Sequence, residues 1–403
     1  MKFPIYMDYH ATTPVDSRVV DAMLPFFTEK FGNPASRQHQ FGWIAEEAVE
    51  TSRSEIAKFF GAESKEIIFT GGATEANNLA LKGISDSWKQ KGNHIITVQT
   101  EHKSILDTCK KLEKFGRTVT YLPVDEHGTI DLNLLSGSIT PETILISVMM
   151  ANNEIGTIQD IHQVGKICRE KNLIFHTDAT QAVGNIPINV GEMNIDLMSF
   201  SGHKVYGPKG VGGLYIRSAN PKIKLTMQID GGGHERGIRS GTLNVPSIAG
   251  LAKALELSAG MMNEESNRLR HLRDKMYNAF LNNLDEVFLN GHPTNRLPNN
   301  LNISFLHAED NALMMSMKEV ALSTGSACTS SDPHPSHVLK ALKLSGDRIH
   351  SAVRFGLGRF TTAEEVDYVI ARVIENVRKL RELSPVYSKT REKISAHRIR
   401  ENK

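Results

Sequence analysis

Two lysines, Lys204 and Lys209, stand in the stretch SGHKVYGPKG (Ser201–Gly210), directly after the apolar run IDLMSF (Ile195–Phe200). A lysine amine in a sheltered place can form an imine with a carbonyl compound. Asp178 closes a second apolar run, LIFHTD (Leu173–Asp178), and a carboxylate beside a ring nitrogen stabilises its protonated form. Thr74, in GGATEANN (Gly71–Asn78), opens a helical pattern behind two glycines. Free N–H groups and a hydroxyl at a helix start bind phosphate. Singly, each feature has a plainer reading: a solvated loop lysine, a helix N-cap aspartate, a glycine turn with a threonine cap. Together they supply what pyridoxal phosphate needs, namely an amine, a carboxylate for the pyridinium nitrogen and donors for the phosphate.

The elements that must position these groups follow from the periodicity. EIIFT (Glu66–Thr70), HIITVQT (His94–Thr100), TVTYL (Thr118–Leu122), TILISVMM (Thr143–Met150), LIFHTD, IDLMSF and VGGLYIR (Val211–Arg217) read as buried strands. Helical patterns such as TEANNLALKGISDSWKQK, SILDTCKKLEKFG and DIHQVGKICREKN lie between many of them. Strand–helix alternation predicts an α/β fold with a mostly parallel central sheet flanked by helices. Ligands then sit at the C-terminal ends of the strands, where Asp178 and Lys204 fall. Near Ser258–Glu264 the pattern changes to a long polar helix and the fewer strands VFLNG, NLNISF and AVRFGLG. This predicts a second, smaller α+β domain.

Composition narrows the function classes. With 403 residues the chain is too long for one small core, and 40% apolar with 23% charged residues is ordinary for a globular protein. A net charge of +2 gives no reason to expect nucleic acid. No run reaches the roughly 18 apolar residues of a membrane span, and the N-terminus has no targeting pattern. Three cysteines, Cys109, Cys168 and Cys328, are too few for a disulfide scaffold. The expected location is the cytoplasm. An ordered GxGxxG after the first strand is missing, which argues against a nicotinamide-binding enzyme.

Seven motifs in order, FGNPASR, GGATEANN, ANNEIG, DATQAVG, SGHKVYGPKG, GGGHERGIRSGT and STGSACTSSD, resemble the pyridoxal-phosphate-dependent cysteine desulfurases of the IscS/NifS group, on the IscS side. The resemblance runs from Tyr6 to about Tyr387. It implies a fold-type-I transferase in which residues 1–14 pack with the small domain, 15–259 form the large cofactor-binding domain, 260–388 form the small α+β domain carrying the Cys328 loop, and 389–403 are a basic tail. It implies that Lys204 is the Schiff-base lysine and Lys209 is not. Asp178 faces the pyridinium nitrogen, Gln181 the ring oxygen, and His102 stacks over the ring and moves protons. Ala73, Thr74, Ser201 and His203 hold the phosphate, with Thr242 reaching it from the partner subunit of a homodimer. Arg354, Asn153 and Asn33 receive the substrate carboxylate, Asn153 also touching the cofactor. Cys328 takes the sulfur. Asp230 and Met150 stand where the family has histidines, and the tail does not resemble the family's docking tail.

Cys328 lies in STGSACTSSDPHPSH, a polar stretch rich in breakers that predicts an exposed, mobile loop. An exposed thiol with two destinations, the substrate inside and an acceptor outside, suits that placement. His102 is the expected base for its thiol, with His334 and His337 behind it. A metal site of Cys328, His334 and His337 matches no zinc spacing, so no resident metal is expected; the Cys328 persulfide meets an iron–sulfur cluster only on a scaffold partner. Cys109 and Cys168 fall on helical patterns as core residues. The expected function is conversion of L-cysteine to L-alanine, with sulfur passed to an iron–sulfur scaffold protein and other acceptors, and tRNA thiolation as a second destination. The alternatives are a selenocysteine lyase and a non-catalytic sulfur-carrier subunit. The tail 389–403, with six Lys or Arg against two Glu, is either a frayed helix end or a docking element for an acidic acceptor.

Overall fold

The structure is a computed structural model and describes residues 1–219, 222–324, 335–384 and 387. Cys328, His334 and the tail 389–403 lie outside the described residues. The strands are β1 (Ile5–Tyr6), β2 (Ile67–Thr70), β3 (His94–Val98), β4 (Thr118–Leu122), β5 (Thr143–Ser147), β6 (Ile174–Asp178), β7 (Leu197–Ser201), β8 (Gly212–Ile216), β9 (Val287–Leu289), β10 (Asn300–Phe305), β11 (Val320–Ala321) and β12 (Ala352–Gly356).

A seven-stranded sheet in the order β2-β8-β7-β6-β5-β3-β4 forms the centre. Strand β8 runs antiparallel to β2 and β7, and the other neighbours are parallel. The apolar runs are nearly continuous because both faces are covered. Ile67, Phe69, Ile96, Val98, Phe175, Met198 and Phe200 pack into one core. Their alternating neighbours Ile68, Ile95, Ile174, Leu197 and Leu214 pack into the core on the other face. Each fully buried side chain of this size contributes about 1.5–3 kcal/mol.

A separate three-stranded sheet, β12-β10-β9, carries its own core of Leu301, Ile303, Phe305, Val353 and Phe355. The short strands β1 and β11 pair in parallel, and Ile5 and Met7 join this second core. The long polar helix expected after the pattern change is the second half of one helix, Val245–Asn283. Asn244 caps its start by accepting from the Ser247 N–H at 3.2 Å, and a proline occupies the first turn. What changes along it is the partner: Leu251 and Leu255 face the first core, Leu269, Met276 and Phe280 the second. Gly260 does not stop the helix, since its backbone stays helical and it needs no space that a side chain would fill.

One buried ion pair fastens the glycine-rich segment 231–241 to the sheet. Glu235 accepts from Arg53 Nη1 and Nη2 at 2.8 Å each and from the Phe69 N–H at 2.7 Å. Both side chains are almost wholly buried, at 4% and 1% exposure. Removing one partner of such a pair strands the other charge. Glu235→Ala is therefore expected to lower stability by about 3 kcal/mol, read as a lower urea midpoint at unchanged slope. Asp107→Ala, which breaks the exposed Lys110–Asp107 pair, should stay within about 1 kcal/mol of wild type.

Candidate active site

A cavity of about 890 Å³ opens where β6 and β7 end, bordered by Gly72, Thr74, His102, Asp178, Lys204 and Arg354 among others. The polar groups collect here because a parallel sheet delivers all its strand ends to one side.

Lys204 sits in a tight turn, the 3₁₀ segment Gly202–Lys204 that follows β7. The Gly202 carbonyl accepts from the N–H groups of Val205 at 3.1 Å and Gly207 at 3.0 Å. A Cβ at Gly202 would lie 2.8 Å from the Pro208 carbonyl oxygen, so only glycine fits. The N-terminal segment straps this turn: the Thr13 N–H donates to the His203 carbonyl at 2.9 Å, and Thr13 Oγ1 accepts from the Tyr206 N–H at 2.9 Å. The half-buried Lys204 Nζ donates to the carbonyls of His10 and Ala11. Lys209 also borders the cavity, but it is exposed. Burial lowers the pKa of His203 to about 4, with Lys204 and Lys209 adding to the effect, so its ring is neutral.

Asp178 is 5% exposed and fully hydrogen-bonded at its carboxylate. Oδ1 accepts from the Thr180 N–H at 2.9 Å and Oδ2 from Asn77 Nδ2 at 2.7 Å. Asn77 also donates to Ser104 Oγ at 2.8 Å, which lies 2.8 Å from His102 Nδ1. His102 is the N-cap of the Lys103–Lys114 helix, its Nδ1 accepting from the Ser104 N–H at 3.2 Å. Beside it the buried Glu101 accepts from the Met149 N–H at 2.5 Å. Burial, followed by the charge of Asp178, pushes the Glu101 carboxyl well above the usual range.

Arg354 comes from β12 of the second sheet and is 1% exposed. It donates to the Asn153 carbonyl and to Asp8 Oδ1, each at 2.8 Å. Asn153 is presented by a turn that Asn152 builds: Asn152 Oδ1 accepts from the N–H groups of Glu154 at 2.8 Å and Ile155 at 3.0 Å. Gln181 donates through Nε2 to the His10 carbonyl at 3.1 Å, and its Oε1 lies 2.9 Å from His10 Nδ1.

Ala73, Thr74, His102, Asn153, Asp178, Gln181, Ser201, His203, Lys204 and Arg354 all border this one cavity. Asn33 and Thr242 are exposed and do not border it. Met150 is in the core and Asp230 is exposed. His337 borders the cavity and donates through Nε2 to the Glu101 carbonyl at 2.9 Å. Cys109 and Cys168 are buried free thiols, and burial pushes Cys109 up to about 12. Sequence reasoning missed Asp8, His10, Asn77, Asn152 and Ser104; only the polar run DYHATT near the N-terminus was a legible signal. No group of three metal-ligating side chains occurs among the described residues, and no described helix is long and apolar enough to cross a membrane.

Residues 5–369 match the family model for aminotransferase class-V. The cysteine desulfurase IscS of Rickettsia bellii is 51% identical over 397 residues, covering 98% of this chain and 97% of that protein. The cysteine desulfurase IscS of Pectobacterium carotovorum is 52% identical over 389 residues, covering 96% of each. Among solved structures, a NifS-like protein superposes with a TM-score of 0.86 at 37% identity, covering 92% of this chain and 98% of that one. SspA in complex with cysteine superposes with a TM-score of 0.78 at 37% identity, covering 89% and 100%.

Two buried histidines under the cavity make stability depend on pH. Burial lowers His10 to about 3, with Arg354 adding to the effect, and lowers His176 to about 4 against the opposing charge of Asp178. His176 lies 2.9 Å from Ser147 Oγ and 3.0 Å from Ser199 Oγ. The unfolded chain protonates each histidine near pH ~6.5. Between that pH and about 4 the unfolded state binds more protons than the folded one, so stability falls as pH drops through this window. The urea midpoint should decline from pH 7 to 4.5, and His176→Gln should make that decline shallower. An identical slope in the variant would show that His176 is not held neutral.

Proposed function

The chain belongs to the class-V aminotransferases and, within them, to the cysteine desulfurases, and from that premise we propose that it takes sulfur from L-cysteine as a persulfide on Cys328, releases L-alanine, and uses pyridoxal phosphate as its cofactor. The observation that carries this reading is the joint presence of Lys204, Asp178 and Arg354 on one cavity. An amine, a carboxylate and a carboxylate-binding guanidinium are what amino-acid chemistry on that cofactor requires.

The residues present fit the cofactor. The backbone of Gly71 and Gly72 leads into the N-terminus of the 15-residue helix Ala73–Ser87, where free N–H groups favour a phosphate. Gly72 has φ +141°, and a Cβ there would sit 3.7 Å from Ser201 Oγ, in the space a phosphate would take. Thr180 Oγ1 borders the cavity, buried and without a partner in the described structure. Asp178 would hold the ring nitrogen, Gln181 the ring oxygen, and Ala73, Thr74, Ser201 and His203 the phosphate, with His102 against the ring.

When bound, pyridoxal phosphate supplies the electron sink for the charge left after the substrate Cα proton departs. Lys204 Nζ takes that proton. Arg354 gives two parallel hydrogen bonds to the substrate carboxylate, with Asn153 beside it, and fixes orientation. Asp8 keeps the guanidinium aimed until substrate arrives. The Cys328 thiolate attacks the substrate sulfur, the sulfur–Cβ bond breaks with its electron pair passing to the carbon side, Cβ gains a proton, and Cα regains one from Lys204 Nζ to give alanine. The flanks of the Cys328 segment support this assignment. The Ser323 carbonyl accepts from the Arg354 N–H at 2.8 Å, and Ser336 Oγ donates to Glu154 Oε2 at 2.5 Å, both next to the cavity. Sulfur then passes to acceptor proteins for iron–sulfur cluster assembly in the cytoplasm.

The enzyme acts as a homodimer. Leu24, Phe27, Phe31, Phe41 and Trp43 are each more than half exposed, and the rings of Phe31 and Phe41 lie 5.3 Å apart. A second copy covers apolar surface of this kind. Asn33 lies in the same stretch and, like Thr242, stays away from its own chain's cavity. Thr242 serves the partner's site.

Purified protein should show the absorption band of lysine-bound pyridoxal phosphate and release alanine from L-cysteine faster than from L-selenocysteine. Lys204→Ala should lose the band while Lys209→Ala keeps it. Cys328→Ala should bind cofactor and substrate but form no persulfide and no alanine; alanine at the wild-type rate would exclude Cys328 as sulfur acceptor. For the dimer, mixing inactive Lys204→Ala and Thr242→Ala chains should restore one site per hybrid. A fully active monomer in sedimentation would refute the shared site.

A further inference from the structure

We propose that Ser104 and Asn77 are positioning residues that hold His102 as the neutral tautomer protonated on Nε2. His102 then acts as a hydrogen-bond donor to anionic sulfur in the cavity, and not as the base that takes the Cys328 proton. This rests on the desulfurase reading for its consequence but not for its geometry.

The tautomer follows from a directed chain of hydrogen bonds that starts at Asp178. A carboxylate only accepts, so the Asn77 side chain must turn its NH₂ toward Asp178 Oδ2, 2.7 Å away. The same nitrogen lies 2.8 Å from Ser104 Oγ, so both amide hydrogens are used. Asn77 is 0% exposed. Ser104 Oγ, accepting from Asn77, turns its own hydrogen to His102 Nδ1 at 2.8 Å. The Ser104 N–H points at the same nitrogen from 3.2 Å. Two donors converge on Nδ1, so Nδ1 carries the lone pair and the ring proton sits on Nε2.

A proton on Nδ1 would confront the Ser104 N–H and force the hydroxyl to reverse. A helix-start N–H would lose its acceptor and be left unsatisfied. A plain N-cap accounts for the 3.2 Å backbone bond. It does not account for a buried asparagine that joins the cap to Asp178. A histidine locked this way stabilises a thiolate by donation without surrendering its own proton, which is how a neutral imidazole serves as an electrophile.

The test reads the tautomer directly. In holoenzyme grown with ring-¹⁵N histidine, the His102 signals are those lost in His102→Gln. At neutral pH, without substrate, wild type should show unprotonated Nδ1 and protonated Nε2. Ser104→Ala leaves only the longer backbone bond and should raise the share of the Nδ1–H form. It should lower kcat for alanine formation about tenfold, as loss of an orienting partner does, with KM for L-cysteine within about twofold. Ser104→Thr keeps a hydroxyl and should restore both. Wild-type His102 protonated on Nδ1, a tautomer unmoved by Ser104→Ala, or one moved with kcat unchanged, overturns the proposal. Because the tautomer is read without substrate, its failure leaves the desulfurase reading standing, and missing alanine in wild type would sink that reading alone.

Discussion

A carboxylate at the end of a buried strand is costly unless its oxygens are hydrogen-bonded, and Asp178 meets that condition with donors from its own turn and from Asn77. The arrangement requires the Ala73–Ser87 helix to cross the ends of the central strands, because Asn77 lies on that helix. The same placement brings Gly72 and Thr74 to the cavity. Glu101 is close enough to feel Asp178, and burial followed by that charge raises its carboxyl well above the usual range. The site's electrostatics thus follow from how one buried carboxylate is satisfied.

Two cores share the work of holding the site. The central sheet supplies Asp178, Ser201 and the Lys204 turn, and the second sheet supplies Arg354. The N-terminal segment joins them. Met7 packs in the second core, Asp8 bonds to Arg354, and the His10 and Ala11 carbonyls receive Lys204. A short polar stretch of chain therefore sets the relation between the amine and the guanidinium. The Val245–Asn283 helix packs in both cores and spans from one to the other.

Much of this was legible from residue types alone. The central strands are apolar runs with polar ends, and the observed β4 and β10 coincide with TVTYL and NLNISF. The residues bordering the cavity fall in motifs whose small and polar composition marks them as loops at strand ends. The two-residue strands β1 and β11 were not legible, since so short a pair has no periodicity to read. The start of the long helix was missed for a related reason: its first half is buried and its second half half-exposed, so one element carries two patterns.

The sequence by itself determined the fold class and the chemistry-bearing residue types, because these depend on local patterning and on groups that follow apolar runs. Tertiary structure alone decided who holds those groups. Asn77 meets Asp178 across 101 residues, Glu235 meets Arg53 across 182, and Asp8 meets Arg354 across 346. An asparagine on a helix or an aspartate near a terminus has no local signature of its partner. Its hydrogen bonds are settled only when packing removes water and leaves one acceptor or donor within reach.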